Sequence, residues 1–163
     1  MTTNTELIKQ LRSRTSAGVM DCKRALDESN GDLDEAEEIL REQGIASAAK
    51  KSARETDQGI IETYIHSGGR IAAMVEVNCE TDFVARTDEF SSLAHDIAMQ
   101  VAAMAPVAVS RDDTVDSEQP VPEDSCLLQQ PFIKDPSKSI QDIINETVGK
   151  LGENIRVRRF QRF

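Results

Sequence analysis

Asn78-Cys79-Glu80-Thr81-Asp82-Phe83-Val84-Ala85-Arg86 stands where one periodicity gives way to another. Before it, Arg70 to Cys79 alternates: Ile71, Ala73, Val75, Val77 and Cys79 share one face, and Ala72, Met74, Glu76 and Asn78 the other, as in a strand with one buried side. After it, Phe90, Leu93, Ala94, Ile97, Ala98, Val101 and Met104 recur at spacings of three and four, the stripe of an amphipathic helix that Thr87 or Asp88 can cap. A strand joined to a helix in this way predicts a helix lying across a sheet. Phe83, in the turn itself, belongs to neither pattern. A loop phenylalanine commonly folds back into the core. The sharper alternative is an anchor presented to a partner, where its burial would be worth about 1.5–3 kcal/mol. Composition leaves the two open.

Working outward, Ile60 to His66, a Ser67-Gly68-Gly69 turn and the strand from Arg70 predict a β-hairpin. Ala105 to Ser125 is acidic and contains proline, a mobile loop by composition. Pro131-Phe132-Ile133 and Lys134-Asp135-Pro136 lead into a helix capped at Ser137 or Ser139, with Ile140, Ile143, Ile144, Val148 and Leu151 facing inward and Gly149 and Gly152 helping to end it. Asn154 to Phe163 alternates again, Arg156 and Arg158 on one face, and is expected to join the hairpin as a third strand.

The first fifty residues read as three short amphipathic helices. Thr5 can cap one bearing Leu7, Ile8 and Leu11; Ser16 precedes a second with Val19, Met20, Cys22, Ala25 and Leu26, stopping near Asn30-Gly31. Asp32 caps a third, with Leu33, Ala36, Ile39 and Leu40 on one face, ending at Gly44. None is stable alone, so the three must pack as a bundle. One buried stripe accounts poorly for Val19 and Met20, and methionine suits both cores and adaptable binding surfaces. Such a small bundle resembles the ubiquitin-associated type of domain. Ala46 to Gly59 reads as a connecting helix ending in a linker. The expected class is therefore α+β: a bundle with its connecting helix over 1–55, then a three-stranded antiparallel sheet packed with helices over 56–163, carrying the acidic loop at about 105–125.

The chain has 163 residues, 39% of them hydrophobic and only 4% aromatic, so the core should be aliphatic. Nineteen Lys and Arg against 29 Asp and Glu leave a net charge of −10, which opposes sequence-independent binding to phosphate backbones. Four arginines in the last eight residues invite a nucleic-acid reading, but no aromatic platform accompanies them, and salt bridges to acidic residues account for them better. No signal pattern opens the chain and no apolar run approaches the ~20 residues that span a bilayer, so a cytoplasmic protein is expected. Cys22, Cys79 and Cys126 are odd in number and far apart, without a C-x-x-C pair, so neither a disulfide framework nor a zinc site is expected. The best catalytic pairing, Cys79 with His66, would lie about ten residues apart along a strand, or ~30 Å. No phosphate loop or G-x-S-x-G appears. No enzyme activity, cofactor or metal is expected.

Three runs carry a family resemblance: Leu11 to Leu26 (LRSRTSAGVMDCKRAL), Glu76 to Arg86 (EVNCETDFVAR) and Gly152 to Arg159 (GENIRVRR). Together they resemble translation elongation factor Ts. That resemblance implies a guanine-nucleotide exchange factor for elongation factor Tu, without bond-making chemistry of its own. It implies that Thr81, Asp82, Phe83 and Val84 meet the GTPase domain of Tu beside its magnesium and phosphate site, Phe83 as a wedge and Asp82 on nearby polar groups. Arg12, Val19 and Met20 of the bundle would touch the same domain, and the hairpin tip at His66, Ser67, Gly68 and Gly69 would dock on another. Longer members carry two related sheet-and-helix modules where this chain has one, and shorter members pair as homodimers, so a homodimer through the three-stranded sheets is expected. A ubiquitin-associated-type adaptor without exchange activity is the alternative, but it leaves Thr81 to Val84 unexplained.

Overall fold

The computed structural model describes residues 4–15, 17–111 and 121–163. Three helices come first, α1 (Asn4–Thr15), α2 (Val19–Glu28) and α3 (Leu33–Lys51). Then follow β1 (Gln58–Ile65), β2 (Ala72–Cys79), the one-turn helix α4 (Asp82–Ala85) and α5 (Asp88–Met104). A small hairpin of β3 (Pro131–Phe132) and β4 (Asp135–Ser139), the helix α6 (Ile140–Leu151) and β5 (Ile155–Arg162) complete the chain. β1, β2 and β5 form one antiparallel sheet with β2 in the middle. The expected α+β architecture is present: helices at the N-terminus, then a three-stranded antiparallel sheet packed with helices.

The bundle closes over Leu11, Cys22, Ala25, Leu26 and Ala36, with Leu7, Ile8, Leu33, Ile39 and Leu40 packed around them. After α2 the chain turns through Asn30 and Gly31, both with positive φ, and the Asp32 carboxylate accepts the amides of Asp34 and Glu35 to open α3. Two expected caps differ. Thr5 lies inside α1 rather than before it, and Ser16 lies outside the described residues; Gly18 precedes α2 without a side-chain cap.

The third helix does not stop at Gly44. α3 runs unbroken from Leu33 to Lys51, so the last bundle helix and the connecting helix are one. Gly44 is buried where α6 crosses: a Cβ added there would stand 3.5 Å from the Asn145 carbonyl oxygen, and one on Gly149 would stand 3.4 Å from Gly44 Cα. A glycine inside a helix costs about 1 kcal/mol against alanine, and since a Cβ at either position would make only ordinary contact, α3 and α6 carry that cost. Gly149 likewise sits within α6, and Gly152, with φ 77°, makes the C-cap. Gly59 is also no linker residue. It lies within β1 at φ 152°, where a Cβ would fall 2.1 Å from the Val77 carbonyl oxygen, so only glycine lets the two strands close.

The main core forms where Ala73, Val75, Val77 and Cys79 of β2 meet the apolar stripe of α5 from Phe90 to Val101, with Ile140, Ile144 and Val148 of α6 beside them. Ser139 and Asp142 form a reciprocal capping box at the start of α6. Of the acidic loop, residues 112–120 lie outside the described residues. Its flanks are tied together: the Val107 amide donates to the Ser125 carbonyl at 2.9 Å, and the Leu127 amide to that of Ala108 at 2.9 Å.

Between β2 and β5 the register shifts at Glu76/Val77, and this bulge brings two arginines to one carboxylate. Arg158 and Arg159 reach Glu76 at 3.2 and 2.6 Å, while Arg156 and Arg162 donate to the carbonyls of Ser52 and Ala102. Each C-terminal arginine thus has an intramolecular partner. The hydrogen bond from Arg159, aided by both guanidinium charges, holds the Glu76 carboxyl below its ordinary range. A carboxyl with a depressed folded pKa adds stability above its unfolded value, and that stability is lost as pH falls through the folded value. Glu76→Gln should therefore lower the urea midpoint at pH 7, with the gap to the parent closing in acid as the carboxylate takes up its proton below the ordinary carboxyl range. An equal gap at pH 7 and in acid would show that the charge of Glu76 contributes nothing.

The clamped Phe83 turn as candidate contact site

Thr81 starts α4. Its hydroxyl accepts the Val84 amide at 3.4 Å, Asp82 places a negative charge in the first turn, and Arg86 pairs with Asp82 at 2.9 Å. The turn is also held from outside. Both Glu153 carboxylate oxygens are engaged by Thr81, one accepting its amide at 3.0 Å and the other its hydroxyl at 2.6 Å. In the opposite sense, Glu80 accepts the Asn154 amide at 2.6 Å and pairs with Arg54 at 3.4 Å. The Asn154 side-chain amide donates to the carbonyls of Ser52 and Arg54, at 3.4 and 2.8 Å, just beyond α3.

On this support Ala85 points into the core, Val84 packs half-buried against it, and Phe83 points out with 79% of its surface exposed. The core fate open to a loop phenylalanine thus falls to its neighbours. The helical phase decides it, since one turn cannot send three consecutive side chains to the same side. Within the stretch from Thr81 to Val84, the Thr81 hydroxyl is used internally, which leaves Asp82 and Phe83 as the groups facing outward.

The other candidate residues lie on separate elements. Arg12 is exposed on α1, and Val19 and Met20, 48% and 64% exposed, occupy the first turn of α2 outside the bundle core. At the hairpin tip, His66, Ser67, Gly68 and Gly69 are all exposed; Gly68 and Gly69 take positive φ, and the Gly69 amide closes the turn on the His66 carbonyl at 2.9 Å. The Tyr64 hydroxyl lies 3.3 Å from His66 Nδ1.

Cys79 and His66 are not brought together. Cys79 pairs with Gln58 at the end of the hairpin away from the turn that His66 opens. The Cys79 thiol is fully buried and donates to the Thr81 carbonyl at 3.2 Å. Burial, with the Glu153 charge adding, pushes its pKa up to about 11. It is a protonated packing group rather than a nucleophile. Among the described residues no group of three or more His, Cys, Asp or Glu is placed to hold a metal ion, and no helix is long and apolar enough to cross a membrane.

Glu80, Glu153 and Asn154 are functional candidates that the sequence pattern did not single out. Thr81 and Glu153 are 72 positions apart, so no local spacing reports the contact. The only signal was their membership in two of the three runs that carry the family resemblance.

Fold and site together define the class: an α+β protein with an N-terminal helical bundle, holding a bare aromatic ring outward on a braced turn beside its sheet. The family described as Elongation factor TS matches residues 10–120. Elongation factor Ts of Carboxydothermus hydrogenoformans is 47% identical over 188 aligned residues, covering 97% of this chain and 87% of that relative. Those of Thermoanaerobacter sp. and Moorella thermoacetica are 46% and 45% identical, covering 97% and 96% of this chain and 92% of each relative. The chain belongs to the elongation factor Ts family. An alignment of 188 positions exceeds the 163 residues here, so the Carboxydothermus relative carries positions that this chain lacks.

Proposed function

We propose that this chain is a guanine-nucleotide exchange factor for elongation factor Tu, acting in translation elongation by speeding GDP release so that GTP can rebind. The observation that carries the reading is Phe83, a large apolar ring left bare on a turn braced from two sides in a member of this family. Its side chain would wedge into an apolar gap of Tu beside the magnesium and phosphate site, with Asp82 meeting polar groups there. Arg12, Val19 and Met20 form a second contact on the same GTPase domain, and the hairpin tip from His66 to Gly69 a third on another domain. No covalent step is needed. A factor that binds nucleotide-free Tu more tightly than Tu·GDP must weaken GDP binding by the same factor, and a coupling of about 1–3 kcal/mol gives a change of about 5–150-fold. Disturbing the metal removes a main charge partner of the phosphates. The test follows a fluorescent GDP analogue leaving Tu with and without this protein; an unchanged release rate would sink the proposal.

The homodimer belongs to the same reading. The sheet face turned away from α5 carries Ile61, Ile65, Met74 and Phe163, which are 61%, 69%, 41% and 69% exposed and stand on one side by strand register. The apolar patch these four make, on a face that also carries Thr63, Glu76 and Gln161, is suited to pairing with its like. Light scattering is expected to give twice the 18.0 kDa chain mass for the parent and the single mass for Ile65→Asp. A parent of single mass at micromolar concentration would remove the dimer.

A further inference from the structure

α4 is a single turn, and four residues of helix do not hold themselves in water. The bonds that hold it come from the far end of the domain. Glu153 follows the Gly152 cap of α6, reaches across to the last turn before Phe83, and places its two oxygens on the two donors of one residue, Thr81. Such charge-assisted bonds are about twice as strong as neutral ones. The next residue, Asn154, returns the exchange through Glu80 and adds two bonds to the chain leaving α3. One junction thus fixes the Phe83 turn and also ties it to the helix that continues into the bundle.

We infer that Glu153 is a positioning residue for nucleotide exchange: by holding Thr81 through its amide and hydroxyl, it keeps Phe83 in the orientation that enters the partner. This rests on the exchange reading above. Glu153 acts through the turn, its two oxygens being occupied by Thr81, and its contribution is that the turn need not be ordered at the moment of binding.

The experiment is a double-mutant cycle in GDP release from Tu at subsaturating factor, with the parent, Phe83→Ala, Glu153→Ala and the double variant. Beside it, amide ¹⁵N relaxation is measured on each free protein. Glu153→Ala is expected to slow stimulated release about tenfold, the equivalent of one charge-assisted hydrogen bond. In the Phe83→Ala background it should slow release much less, because only Asp82 is then left to position. Order parameters of residues 81–86 should fall while those of the sheet and α5 stay. Glu153→Gln keeps the volume and one acceptor and should retain most of the rate; if the alanine variant does not fold, Glu153→Asp, one methylene too short to hold both Thr81 donors, carries the same comparisons. Additive losses in the cycle, or unchanged order parameters with a parent that accelerates release, overturn the role of Glu153 alone. A parent that does not accelerate release overturns the exchange reading and this inference with it.

Discussion

Phe83→Ala is expected to slow the stimulated release of GDP from elongation factor Tu by about 10–150-fold, the kinetic equivalent of the 1.5–3 kcal/mol that burying such a ring is worth. Its thermal midpoint should match that of the parent. The two expectations come from one fact: a ring with 79% of its surface exposed contributes little to the folded chain alone and has its apolar area available for a partner. Thr81, Glu153 and Arg86 all brace the turn without touching the ring's exposed side, so truncation removes contact area and leaves the support standing. A variant with full stimulation would keep the exchange reading but strip Phe83 of its part. A large fall in midpoint would show instead that the ring packs within the protein. Val84→Ala is the useful contrast, since Val84 packs against the core and its truncation should cost stability.

The largest effect on stability is expected at Gln100. It lies on the buried side of α5, fully enclosed, at a position where the helical stripe calls for an apolar residue. Its amide nitrogen donates to the Pro131 carbonyl at 3.1 Å and to the Gln130 side-chain oxygen at 3.3 Å, and its oxygen accepts the Ile133 amide at 3.0 Å. The hairpin of β3 and β4 is thereby fastened to α5. Gln100→Leu keeps the volume but removes all three bonds and strands the side-chain oxygen of the buried Gln130, at about 1–3 kcal/mol for a buried unpaired group. Urea unfolding should show a loss of about 1–3 kcal/mol. A loss under about 0.5 kcal/mol, the size of an ordinary surface substitution, would mean that water replaces the side chain.

Much of this architecture is legible in residue order. The alternation from Ile71 to Val77, and spacings of three and four from Phe90 to Met104, identify a strand and a helix because each buries one face at its own period, although Asn78 on the second face is buried too. Asp32 and Ser139 act as caps because short polar side chains reach their own helix's first amides. Glycine is where local reading misleads. Gly44 and Gly59 look like punctuation, and neither is: Gly44 lies mid-helix against α6, where a Cβ would make only ordinary contact, and at Gly59 the backbone of β2 comes too close for a Cβ. The neighbour at Gly44, α6, is distant in sequence, so nothing local announces it; at Gly59 the hairpin is legible, but not how closely its open end packs.

The site divides in the same way. Its residues could be named from a short run, and from a resemblance that reached both ends of the chain. Whether Phe83 faces in or out depended on the phase of α4 relative to the core, and that phase is set by Thr81 meeting a carboxylate 72 positions away. By itself the sequence determined most of the long elements, the family and the candidate contact residues, because periodicity, capping and motif are properties of neighbours along the chain; the small β3–β4 hairpin and the true extents of α3 and β1 escaped it. Only the tertiary structure decided that the ring stands outside, that α3 continues into the domain, and that Gln100 fastens a hairpin. Those depend on distant segments meeting, where close approach and hydrogen-bond pairing override local preference.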